Sequence, residues 1–284
     1  MIIFKKTDDI SAFILNSKKL RKTIGFVPTM GALHAGHISL IEKSKTQNDL
    51  SVVSIFVNPK QFNNAADFAK YPQTIEEDIN KLEASSCDIL FLPDTSEIYP
   101  DPNYMPSYDI GELEVILEGK YRPGHFQGVC EVVHRLLDIV RPDNLYLGQK
   151  DFQQCIVIKK MIADLAIPVS VHITDTMREK DGLAMSSRNL RLTPDQRAVA
   201  NTIYEVLQWV EDEIKPGDIT LIKVQGSVYL TKHNFKVDYL EIVNTNDLSI
   251  MHRWDGKQSF AILTAAYLGE IRLIDNLLVK QKSD

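Results

Sequence analysis

The sequence predicts an α/β protein, with a doubly wound parallel sheet running to near residue 176 and a smaller α+β domain after it. Three observations carry this. Short apolar runs recur, most of them stopped by Pro, Gly or Asn-Pro. Segments of helical period lie between them. Beyond residue 176 the alternation gives way to a polar, irregular stretch and then to longer strand-like runs.

Thr7 is placed to cap a first helix, with Asp8 and Asp9 in its opening turn, Ile10, Phe13 and Ile14 at helical spacing, and Lys18 and Lys19 at its basic end. Residues 24–27 read as a buried strand ended by Pro28, and Ile38 and Ile41 continue a helix after the turn that follows. Strands are expected over 52–57, 89–92, 144–147 and 169–173. Helices are expected over 74–84, 127–140 and 152–165. Such a sheet binds ligands beyond the C-terminal ends of its strands. Thr193-Pro194 caps and starts a helix to about residue 212, and Pro216-Gly217 breaks the chain. Strands over 237–243, 260–268 and 271–279 complete the second domain, so the expected division is 1–176 and 177–284.

Composition narrows the function. The net charge of -6 argues against broad nucleic-acid binding, which needs a basic surface. Cys87, Cys130 and Cys155 are too widely spaced for a zinc knuckle or redox motif and read as buried thiols of a reducing compartment. Met1-Ile2-Ile3-Phe4-Lys5-Lys6 is too short for the apolar core of a secretory signal, and no run reaches the roughly 20 apolar residues of a bilayer-spanning helix. A cytoplasmic protein with no membrane or nucleic-acid partner is expected.

The chemistry-bearing segments sit at predicted strand ends. Thr29-Met30-Gly31-Ala32-Leu33-His34-Ala35-Gly36-His37 follows a strand and opens a helix. Gly31 and Gly36 allow close backbone approach, and a helix N-terminus offers N–H groups and a positive dipole end to phosphate. His34 and His37 share one side of the first turn and can donate to phosphate oxygens as charge develops there. A pair of surface histidines, or a metal pair, is the plainer reading, but further Cys or His ligands are absent nearby. Met185-Ser186-Ser187-Arg188-Asn189 offers two hydroxyls and a guanidinium that forks onto phosphate, or simply a capped loop. In Leu147-Gly148-Gln149-Lys150-Asp151-Phe152-Gln153-Gln154, Lys150 is a compact charge for phosphate and Asp151 either accepts from ribose or caps the helix. Asn58 and Gln61, in Val57-Asn58-Pro59-Lys60-Gln61-Phe62, are neutral groups suited to a hydroxy acid, with a solvated turn as their default. Arg122 and His125 lie in a turn that either reaches the site or serves only itself. Glu77 and Asp78 are candidates to hold the waters of a metal ion, with a solvated helix face as the default.

Taken together, the segments at 26–37, 57–62, 122–126, 147–151 and 185–189 strongly resemble the pantothenate synthetase (pantoate–β-alanine ligase) family, in its order and with its spacing. The resemblance extends over most of the first 190 residues. It implies a Rossmann-like fold of the nucleotidyl-transferring group that includes class I aminoacyl-tRNA synthetases, and an ATP-dependent condensation of (R)-pantoate with β-alanine to pantothenate, AMP and pyrophosphate. By that resemblance the nucleotide is carried by 30–37, by 147–151 and by Met185, Ser186, Ser187 and Arg188, together with the backbone at Met177, where many members have valine. Gln61 and Gln154 match the pantoate-binding glutamines, with Asn58 and Met30 beside them, and His37 matches the usual proton donor. His34, Lys150, Ser186, Ser187 and Arg188 complete the catalytic set. Mg²⁺ arrives with ATP, no protein metal site is expected, and the family is typically a homodimer.

The chemistry so implied is attack of the pantoate carboxylate on the α-phosphorus, then attack of the β-alanine amine on the acyl adenylate. No protein nucleophile is required, so the protein supplies positioning and exclusion of water. Another nucleotidyltransferase of the same phosphate motif is the rival reading. Its phosphate-bearing second substrate would want cations where Asn58, Gln61 and Gln154 stand. A regulatory module without turnover would have lost one of the five segments, and all are intact.

Overall fold

The protein is described by a computed structural model covering residues 1–101 and 103–280. The described chain divides into two compact units, the first made of Met1–Gly148 and Val157–Asp175, the second of Gln149–Ile156 and the chain from Thr176 on.

The first unit holds six parallel strands: β1 (Ile2–Phe4), β2 (Ile24–Thr29), β3 (Leu50–Ile55), β4 (Ile89–Phe91), β5 (Asn144–Gly148) and β6 (Ser170–Thr174). Their order is β1-β4-β3-β2-β5-β6. The doubly wound α/β class is therefore present. The chain leaves β2 outward through β3 and β4, then crosses to β5 on the other side of β2. That reversal makes the C-terminal ends of β2 and β5, at Thr29 and Gly148, the place where such a sheet takes ligands. Val27, Val53, Leu90 and Tyr146 pack with Leu33, Leu40, Ile41 and Leu82 into a core that roots the segment after β2.

The second unit packs helices Thr202–Glu213 and Thr220–Lys232 on an antiparallel sheet of β8 (Phe235–Asn244), β10 (Phe260–Leu268) and β11 (Ile271–Val279), in the order β11-β10-β8. A two-residue pair, β7 (Gly217–Asp218) with β9 (Arg253–Trp254), lies beside it in sequence. Residues 149–156 group with this unit, which a single boundary near 176 does not describe.

Several local expectations change. Thr7 does not cap the first helix. Lys6 is the cap residue, and the Thr7 N–H donates instead to Glu97 at 2.9 Å. β2 runs through Pro28 to Thr29, because its pairing with β5 involves only Gly25 and Phe26, so the missing N–H of Pro28 interrupts no ladder on that side. The helix expected over 193–212 is two, Pro194–Val199 and Thr202–Glu213, joined where bonds tighten to the i+3 pattern at Ala200 and Ile203. β1 and the helix Thr220–Lys232 were not expected. The first is a three-residue edge strand, and the second is apolar on several sides, so neither shows a clean period.

The helix His125–Val140 crosses the turn Pro59–Gln61 at Gly128, where an added Cβ would lie 2.3 Å from the Lys60 carbonyl oxygen and 2.9 Å from the Gln61 nitrogen. Both are backbone atoms with nowhere to move. Gly128→Ala should therefore lower stability by about 1–3 kcal/mol, read as a shifted urea midpoint. An unchanged midpoint would mean that the turn is free to retreat.

Candidate functional site

The segment after β2 is shaped by side chains rather than by regular structure. The Thr29 hydroxyl donates to the Ser54 carbonyl at 2.8 Å and accepts the Gly31 N–H at 3.2 Å. Gly31 and Ala32 then take left-handed backbone, at φ +80° and +48°. For alanine this costs about 1–2 kcal/mol. The Asp78 carboxylate, fully buried, accepts the N–H of Ala32 at 2.9 Å and of Leu33 at 2.7 Å. Hydrogen bonds to a charged group contribute about 1.5–3 kcal/mol each, so two of them outweigh the strain. Lys81 donates to the Leu33 carbonyl at 2.8 Å. Asp78 and Lys81 lie on one helix, Ile75–Ala84, which thus clamps the loop by both faces of its backbone.

His34 follows as the cap residue of helix Ala35–Gln47. Its carbonyl accepts the N–H groups of His37 and Ile38 at 2.8 and 3.2 Å. The start of a helix turns backbone N–H groups and the positive end of its dipole outward, an arrangement that suits an anion. The two imidazoles stand with ring centres 4.1 Å apart, tilted by 40°. His37 Nδ1 accepts the His34 N–H at 3.3 Å. In the neutral ring that leaves the proton on Nε2, so His37 is held in the tautomer that donates from Nε2.

Gln61 belongs to the same unit, and its amide donates to the Met30 sulfur at 3.1 Å. Asn58 holds it. The Asn58 Nδ2 donates to Gln61 Oε1 at 3.1 Å and to the Gly128 carbonyl at 3.0 Å. Its Oδ1 accepts from the Lys60 N–H at 3.1 Å and the Tyr99 hydroxyl at 2.8 Å. Burial pushes the Tyr99 hydroxyl far up, so it stays a donor at any working pH. Asn58 is 1% exposed. The solvated turn expected of it is thus corrected: its amide is committed on all sides, and its place is to orient Gln61. Lys60 is spent on Glu131 at 2.6 Å and lies over the Tyr99 ring. His125 Nδ1 sits 2.7 Å from the Gln61 carbonyl oxygen, to which Arg122 also donates at 3.3 Å. Both residues of the 122–126 turn therefore serve Gln61.

In the second unit, the turn Gln149–Asp151 carries Lys150, whose ammonium lies 3.6 Å from Asp151. Gln154 is half-buried in the first turn of helix Phe152–Asp164. Residues 177–185 form a tight hairpin in which the Met185 N–H donates to the Met177 carbonyl at 3.0 Å. Ser186 caps the 3₁₀ turn Ser187–Arg191 by accepting the Arg188 N–H at 3.3 Å, and Ser187 is buried.

The model of the pantoate–β-alanine ligase family matches residues 2–278. The chain belongs to this ligase family. Pantothenate synthetase of Cytophaga hutchinsonii is 44% identical over 282 residues, covering 98% of this chain and 99% of the relative. That of Aquifex aeolicus is 42% identical over 285 residues, with 98% and 99% covered. Among solved structures, the Thermus thermophilus pantothenate synthetase aligns with a TM-score of 0.89 at 38% identity, over 98% of this chain and 99% of its own. The Francisella tularensis pantoate–β-alanine ligase, complexed with β-γ ATP and β-alanine, aligns at 0.82 with 40% identity, over 98% and 97%.

Burial pushes the Cys87 thiol to about 11 and the Cys130 thiol to about 12, so neither is a nucleophile at neutral pH. Among the described residues no three His, Cys, Asp or Glu side chains group as a metal-ligand set. Glu77 is exposed, as a solvated face requires, but Asp78 is not. With both oxygens on backbone N–H groups, Asp78 is removed as a holder of metal-bound water and becomes the anchor of the loop after β2. No described helix is long and apolar enough to cross a membrane.

Sequence reasoning missed the loop anchors because their partners are far away in the chain. Asp78 acts 46 residues from Ala32, and Tyr99 acts 41 residues from Asn58. Only the acidic first turn of the helix hinted at the former. Asp78→Ala leaves two buried N–H groups without acceptors and should cost about 2–5 kcal/mol, measured by chemical denaturation. Asp78→Asn should fall between it and wild type, since its amide nitrogen cannot accept. Wild-type midpoints for both would show that the loop holds itself.

Proposed function

We propose that this ligase-family chain condenses (R)-pantoate with β-alanine, converting ATP to AMP and pyrophosphate through pantoyl adenylate. The observation that carries the reading is the preset 30–37 element: a helix start held by Asp78, with the His37 Nδ1 engaged by the His34 N–H and Gln61 fastened to Met30 beside it. Such a start suits a phosphate chain, and the neutral glutamine suits a hydroxy acid.

In the first step a pantoate carboxylate oxygen bonds to the α-phosphorus and the bond to the β-phosphate bridging oxygen breaks. His34 and His37 donate to the departing pyrophosphate, as do Lys150 and Arg188. Donors aimed at developing charge matter most because they need not reorganise. Ser186 and Ser187 shape the turn that presents Arg188, and the backbone at Met177 and Met185 frames the nucleotide with Gly148 and Gln149. Gln61 and Gln154 hold pantoate. In the second step the β-alanine amine attacks the acyl carbon and AMP leaves. No covalent enzyme intermediate is formed, in keeping with the buried thiols.

Mg²⁺ enters with ATP. This ion keeps most of its waters and needs few protein ligands, so the triphosphate itself is its main holder. When bound it lowers the charge of the leaving group. A lid role for residues 177–284 and a homodimeric assembly belong to this reading, the latter measurable by light scattering.

The deciding assay supplies ATP, pantoate and β-alanine and follows AMP and pyrophosphate. AMP should appear in step with pantothenate, and pyrophosphate exchange into ATP should require pantoate. AMP release without pantoate would sink the assignment. His37→Ala should slow pantoate-dependent exchange by about 10²–10³-fold while pantoate binding, followed by calorimetry, stays near wild type. An undiminished rate would remove His37 from the chemistry.

A further inference from the structure

The second unit contains a buried polar network whose centre lies outside the five sequence segments and reaches into one of them. Its centre is Asn276 on β11, 2% exposed and 126 residues from Lys150. The Asn276 Nδ2 donates to the carbonyls of both Gln149 and Lys150, at 2.9 Å each. Its Oδ1 accepts the Gln149 side-chain amide at 3.1 Å. Every polar position of this amide facing the Gln149–Asp151 turn is thus bound to the turn, and two bonds are to the backbone that sets where the Lys150 side chain departs.

Asn276 is itself held. Asp275 Oδ1 accepts the Asn276 N–H at 2.7 Å, and Arg178 donates to the Asn276 carbonyl at 3.1 Å. Arg178 also forks onto the Asp275 carboxylate at 2.6 and 3.0 Å, and its guanidinium carbon lies over the Tyr204 ring, 3.7 Å from its centre. The same guanidinium donates to the Gly182 carbonyl at 3.1 Å, within the 177–185 hairpin. A planar guanidinium donating to a carboxylate and two carbonyls at once has one geometry, which lysine cannot reproduce.

We propose that Asn276 is a positioning residue for Lys150, kept in register by the Arg178–Asp275 pair. A turn fixed only by its neighbours in sequence would sample several orientations of its lysine. Tying its two successive carbonyls to one rigid amide on a paired strand selects one. The proposal rests on the reading of Lys150 as a phosphate-handling group. It touches no substrate through Asn276, which acts only through the turn.

The test is a double-mutant cycle on the full chain, scored as kcat/KM for ATP in pantoate-dependent pyrophosphate exchange. Asn276→Ala should lower it about ten- to a hundredfold, the scale expected when a reacting group is displaced by about 1 Å. In a Lys150→Ala background the same change should cost less than about threefold, because the group it positions is gone. A full, additive loss in that background, or a single-mutant rate within about twofold of wild type, overturns the proposal. Should Asn276→Ala not fold, Asn276→Ser, which keeps one donor, carries the same cycle. Wild-type exchange by Lys150→Ala would instead overturn the phosphate role of Lys150. Anchoring is then read directly by amide hydrogen exchange of the 149–151 segment, which Asn276→Ser should speed at least about tenfold. Unchanged protection there overturns the anchoring as well.

Discussion

One buried carboxylate governs the first unit. Asp78 reaches out of helix Ile75–Ala84 and takes two consecutive N–H groups of the loop after β2. The loop needs that acceptor, because Gly31 and Ala32 turn through left-handed backbone and leave their neighbours' N–H groups outside any ladder. Everything downstream inherits the result. The loop's exit sets where His34 stands, and the His34 N–H selects the tautomer of His37. A charge buried without compensation would be very unfavourable, so the carboxylate and the loop conformation each require the other.

The same device recurs with neutral groups. The Asn58 amide is exhausted by Gln61, Gly128, Lys60 and Tyr99, and the Asn276 amide ties down the turn that bears Lys150. In each case a buried side chain with several polar positions holds a short irregular segment by its backbone or amide. Such segments are where function lies, since regular strands and helices have already used their backbone groups on one another. A satisfied network gives them one conformation without extending the regular structure.

This arrangement fits a reaction whose difficulty is charge placement. An acyl phosphate anhydride needs no further activation for an amine to attack it. In the proposed reaction the chain contributes a set of donors whose positions are settled before substrate arrives, together with thiols kept inert by burial.

The sequence by itself determined the α/β alternation, the strands expected over 24–27 and 144–147, and the five segments that carry the family resemblance. These are legible because apolar runs, capping residues and glycine-rich turns act over a few residues. It also carried helix starts such as Thr193-Pro194, whose cap and capping-box bonds are local. Tertiary structure alone decided that Asp78 is an anchor and not a solvated acid, that Asn58 orients Gln61 instead of lining a solvated turn, and that Asp275 and Asn276 belong with Lys150. Each of these depends on contacts between residues far apart in the chain. Burial changes what a polar side chain can do, and burial is set by packing that no local pattern records.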